Sequence, residues 1–67
     1  MNEDELLIEL QRIIEEYITD TEMVEYLTEC VKQLKIKHII AEMDKNKNKE
    51  YSHEDRETIR DIYFCYC

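Results

Sequence analysis

Neither glycine nor proline occurs anywhere in the 67 residues. Tight primed hairpin turns and Gly-rich phosphate loops both rely on glycine's access to positive φ, so the composition weighs strongly against both. Without the two strongest helix breakers, the default for an ordered chain of this kind is helix. The length bounds the rest. A chain this short buries only about 60% of the surface that it exposes when unfolded, and it cannot build a cleft between two domains. We therefore expect one all-α domain spanning residues 1–67.

Hydrophobic periodicity divides that domain. Leu6, Leu7, Leu10, Ile13, Ile14, Tyr17 and Ile18 recur at spacings of three and four, which predicts a first helix over residues 4–18. Asn2 or Asp4 is placed to cap it, and Glu9, Arg12, Glu15 and Glu16 fill its outer face. Thr19-Asp20-Thr21-Glu22 interrupts the pattern. Asp20 or Thr21 can cap a second helix, and Thr19 with Glu22 has capping-box spacing. The second stripe is Met23, Val24, Leu27, Cys30, Val31 and Leu34, continued on a rotated face by Ile36, Ile39, Ile40 and Met43. A single helix over 21–43 then either bends near Lys35–Lys37 or offers its second face to another element. The short connection predicts an antiparallel hairpin over residues 4–43. Residues 44–52 read as a polar linker. Ser52 caps a short third helix over 53–65, where Ile59, Ile62, Tyr63 and Tyr66 form a weaker stripe. Folding back would let Ile59, Ile62 and Tyr63 cover the rotated face. Otherwise that face becomes an interface between copies in a homo-oligomer.

Charge narrows the partners. Seventeen acids against nine bases leave a net charge of −8, which opposes phosphate contact and argues against nucleic acid. The acidity is concentrated in residues 1–22, so a charge-guided protein partner should meet that segment. No stretch approaches the roughly 20 apolar residues of a membrane span, and the acidic start is unlike a secretory signal. The expected location is cytoplasmic, with Cys30, Cys65 and Cys67 as free thiols.

Three segments carry a family resemblance. Asp4-Glu5-Leu6-Leu7-Ile8-Glu9, Glu22-Met23-Val24-Glu25-Tyr26-Leu27 and His38-Ile39-Ile40 align without gaps. Over residues 4–41 the chain resembles the Sda family of small sporulation inhibitors of histidine kinases. The resemblance implies a non-enzymatic helical hairpin. It would dock on the helical dimerisation and phosphotransfer domain of a sporulation sensor histidine kinase and block autophosphorylation or phosphotransfer. It also places the partner-binding surface at the turn end of the hairpin, here Tyr17, Ile18, Thr19, Glu22, Met23, Tyr26 and Leu27. The chain departs from the family at Thr19 and Met23, where larger apolar side chains are usual. Gln11 and Arg12 replace aromatics, Lys37 replaces a glycine, and residues 44–67 have no counterpart. Docking of this kind is the helix-in-groove mode, with Met23 adaptable and Tyr17 and Tyr26 as rigid anchors. The alternative for the same residues is plain hairpin core. The alternative for the whole chain is a small adaptor, or a phage- or plasmid-encoded regulator, of an unrelated protein.

Other constellations are weaker. Asp44, Asn46, Asn48, Glu50, Ser52 and Asp55 approximate the oxygen spacing of a calcium loop. Lys49 stands where that loop needs glycine, the last ligand is Asp instead of Glu, and three lysines surround the ion's place, so a flexible linker is the favoured reading. Cys30, Cys65 and Cys67 are one ligand short of the usual structural zinc site. His38 has no partner in sequence and suits the negative end of a helix. Glu15, Glu16, Asp20 and Glu22 lack a pocket that would perturb them, and read as a solvated acidic face. No catalytic residue and no cofactor is expected.

Overall fold

The computed structural model describes residues 3–67. Among them there are four helices and no strand: α1 (Glu3–Tyr17), α2 (Thr21–Lys32), α3 (Ile36–Asn46) and α4 (His53–Tyr66). Helix α1 packs on α2 and α4, and α3 packs on the same two, so the four close into a ring. The result is a flat body of 28 × 27 × 16 Å.

The stripes read from the sequence meet in one cluster. Leu6, Leu10, Ile13, Ile14, Tyr17 and Ile18 enter it from α1 and its C-terminal exit, Leu27 and Cys30 from α2, and Ile36, Ile39 and Met43 from α3. Ile62 of α4 is fully buried among them, with Ile59 packed at the edge, so the rotated face of residues 36–43 is covered within the chain. Tyr63 is 40% exposed and is not buried in the core with them.

Two helix starts follow the sequence. Asp20 accepts the Glu22 N–H at 3.0 Å and caps α2, while Ser52 accepts the Asp55 N–H at 3.1 Å and caps α4. Other expectations need correction. Asp4 lies inside α1, not at its cap, and Asn2 falls outside the described residues. The Thr19 hydroxyl makes no capping box, because it accepts from the Asn48 amide instead.

The larger correction concerns residues 21–43, which form two helices where the periodicity predicts one. Leu34 adopts the left-handed conformation, with φ 57°. The Leu34 N–H reaches the Val31 carbonyl and the Lys35 N–H reaches the Cys30 carbonyl, each at 3.0 Å. That is the Schellman stop, built with leucine at the position where helices ordinarily use glycine. Tertiary packing decides it. Ending α2 there swings Ile36, Ile39 and Met43 into the core that a straight helix would leave exposed.

The polar linker also differs. Residues 44–46 complete α3, and the segment after it is pinned to the end of α1. The Asn48 N–H donates to the Tyr17 carbonyl at 2.9 Å. Lys49 Nζ lies 5.0 Å from the Tyr17 ring centroid, and the Tyr51 ring meets Tyr17 edge-on at 4.9 Å. Lysine side chains here lie over aromatic faces, and Asn48 bonds through both its main-chain N–H and its amide, so a stretch poor in apolar residues is nonetheless anchored.

Candidate functional site

The corner between α1 and α2 collects every residue expected to bind a partner, and it divides them by depth. Tyr17, Ile18 and Leu27 are buried in the core. They support the corner and offer no surface. Thr19 and Glu22 are exposed, Tyr26 is about half exposed and Met23 is partly buried. The available surface is therefore an edge of Thr19, Glu22, Met23 and Tyr26. Around it Glu15, Glu16, Asp20 and Glu25 are exposed as well, which leaves the corner strongly acidic.

Tyr26 is fixed by α3. Its hydroxyl and His38 Nε2 share a hydrogen bond of 2.6 Å, with the rings edge-on at 5.7 Å. The phenol is held above its ordinary range, first by the neighbouring Cys30 side chain and then by desolvation. His38 lies in the first turns of α3, not near a helix C-terminus, so the dipole role expected of it does not apply.

Beneath the corner lies a polar network that sequence reasoning missed. Asp55, buried at the start of α4, accepts the Arg12 guanidinium on Oδ1 and the Tyr17 hydroxyl on Oδ2, both at 2.6 Å. Tyr17 in turn accepts the Ser52 N–H at 3.0 Å. Arg12 also reaches Glu9 at 2.9 Å and Glu16 at 3.3 Å. The Tyr17 and Arg12 hydrogen bonds hold the Asp55 carboxyl below its ordinary range. Asp55, and next Glu9, drive the guanidinium further toward its charged form. Ser52-x-x-Asp55 signals a cap in sequence, but nothing local says that the same Asp reaches α1.

The calcium-loop residues are not assembled for an ion. Asp44 and Asn46 belong to the last turn of α3, the Asn48 side chain is bound to Thr19, and Asp55 is engaged by Arg12 and Tyr17. Among the described residues no three His, Cys, Asp or Glu side chains gather as a metal-holding group. Cys30 is buried, whereas Cys65 and Cys67 are exposed. An open groove of about 460 Å³ runs between α3 and α4, lined by Ile40, Asp44, Glu50, Tyr51, Arg56 and Ile59 among others. Among the described residues the buried Tyr51 hydroxyl has no hydrogen-bond partner, and burial followed by the negative charge of Asp44 raises its pKa. No helix among the described residues is long and apolar enough to cross a membrane.

No family model, no curated protein and no solved structure matches the chain.

Proposed function

We propose that this protein is a non-enzymatic inhibitor that works by occupying a surface of a sporulation sensor histidine kinase in the cytoplasm. In this reading α1 and α2 act as the antiparallel hairpin that the family resemblance implies, with α4 as an added C-terminal helix. The observation that carries it is the exposed edge of Thr19, Glu22, Met23 and Tyr26, set over the buried Ile18 and Leu27. A small apolar centre with acidic surroundings suits a helical domain that presents basic and apolar side chains together. Docking there on the dimerisation and phosphotransfer helices would keep the kinase's catalytic domain from its histidine. No group on the protein needs to react.

The test is autophosphorylation of a sensor kinase's catalytic fragment titrated with the full chain. Near-stoichiometric loss of signal is expected. Met23→Glu should abolish it while the helical circular dichroism is retained, with at most a modest fall in melting temperature, because Met23 is only partly buried against the core. Unchanged phosphorylation, with no complex on a sizing column, would remove this reading.

One observation favours a second reading. The ring closed by α4 has no counterpart in the short members of the family, and burial leaves only part of the expected contact surface exposed. The chain would then be a small helical adaptor whose acidic edge meets an unrelated protein. Capture of that protein by the wild type, and its loss with Met23→Glu, distinguishes the two readings when the kinase assay is negative.

A further inference from the structure

The stop between α2 and α3 is held in a conformation that its own residues disfavour. Leu34 carries a side chain yet sits at φ 57°, where a Cβ crowds the backbone. The residue is 53% exposed, so only part of the penalty is offset by packing. Helix α3 starts after Lys35 without any side-chain cap. The connecting residues Lys32, Gln33, Leu34 and Lys35 are all good helix formers, although the apolar stripe shifts to a rotated face across them. Intrinsic helix propensity and the backbone penalty at Leu34 therefore both favour one helix over residues 21–46, and the packing of α3 and α4 on the rest of the ring opposes it.

We infer that the partner able to release this strain is a second copy of the same chain, through exchange of the α3–α4 unit. Straightening Gln33–Lys35 gives a single helix roughly 39 Å long at 1.5 Å per residue. It carries α3 and α4 away from their own α1 and α2. Two straightened chains then rebuild the ring in trans, with α4 of one copy against α1 of the other. The Arg12–Asp55 and Tyr17–Asp55 hydrogen bonds reform between chains, as does the Tyr26–His38 pair. No interface has to be invented, because each contact already exists within the monomer. Short strained hinges are the setting in which such exchange is most favoured.

Leu34 separates exchange from simple surface association. Glycine removes the penalty at positive φ and is a poor helix former, so Leu34→Gly favours the closed monomer twice over. Alanine keeps the penalty and is the best helix former, while it deletes the exposed leucine side chain. Each protein is refolded from urea over a range of concentrations and examined by sedimentation equilibrium. The wild type and Leu34→Ala should both form dimers, while Leu34→Gly should raise the dimer dissociation constant by about a hundredfold, roughly tenfold for each hinge. Wild type that stays monomeric after refolding at millimolar concentration overturns the inference. So does a dimer weakened equally by glycine and alanine, since that pattern belongs to a sticky Leu34 patch.

Discussion

Arg12 and Asp55 lie 43 positions apart in the chain and meet at 2.6 Å, with the Arg on the outer side of α1 and the Asp buried at the first turn of α4. The pair fastens the last helix to the first. Tyr17 makes it a three-residue arrangement, because its hydroxyl occupies the other oxygen of the same carboxylate. One acid thus receives two donors from α1 and positions the corner where the exposed residues Thr19 and Glu22 begin.

Removing that acid should cost more than a surface ion pair. Asp55→Ala leaves the Tyr17 hydroxyl without its acceptor in a buried place, and we expect about 2–3 kcal/mol of lost stability. Most of that comes from Tyr17 and desolvation, since Arg12 is well exposed and its charge is screened. Asp55→Asn keeps an acceptor and should lose less. Urea denaturation followed by circular dichroism measures both, and an Ala variant within about 0.5 kcal/mol of wild type would show that the network is idle.

Acid should act through the same residue. The folded carboxyl of Asp55 lies below the ordinary value of 3.8, so its contribution is complete above the unfolded pKa. It falls away as pH drops from about 5 through the lowered folded value, where the native state must finally take up the proton. The difference in stability between wild type and Asp55→Asn should therefore be constant near neutrality and shrink below about pH 4. A difference that grows on acidification contradicts the assignment.

Helix α4 should unfold together with the others. Ile62 is fully buried against side chains of the other helices, so Ile62→Ala should remove about 2–5 kcal/mol. In so small a domain that is a large share of the total. Backbone amide exchange in α1 should accelerate in step with that in α4. If α1 stays protected while α4 opens, the ring is not one cooperative unit.

Thiol chemistry reports on the core directly. Cys65 and Cys67 are exposed and should react with an aromatic disulfide reagent within seconds to minutes, whereas buried Cys30 should react only at the rate of opening. Adding urea should bring Cys30 to the rate of the other two. Three equally fast thiols in native buffer would mean that α2 is not seated on the core.

Helix α1 and the starts of α2 and α4 were legible in the residues alone, whereas the start of α3 was not. The apolar spacing of Leu6 through Ile18 produces α1, and Asp20 and Ser52 cap α2 and α4 because their short side chains reach N–H groups two or three positions on. These are interactions between near neighbours, and local composition settles them. The surface at the corner between α1 and α2 was only half legible. Tyr17 and Leu27 share their spacing with Met23 and Tyr26, and periodicity says which residues line a helix face without saying how deeply each is covered.

What the linear pattern left open was decided by contacts between distant segments. Leu34 ends α2 without the glycine that usually announces such a stop, because burying Ile36, Ile39 and Met43 outweighs a local penalty. Arg12 reads as one charge on a solvated face until α4 brings Asp55 beside it. Local preference acts over three or four residues. The hydrophobic burial gained by closing four helices into a ring acts over the whole chain, and where the two disagree that burial sets the geometry.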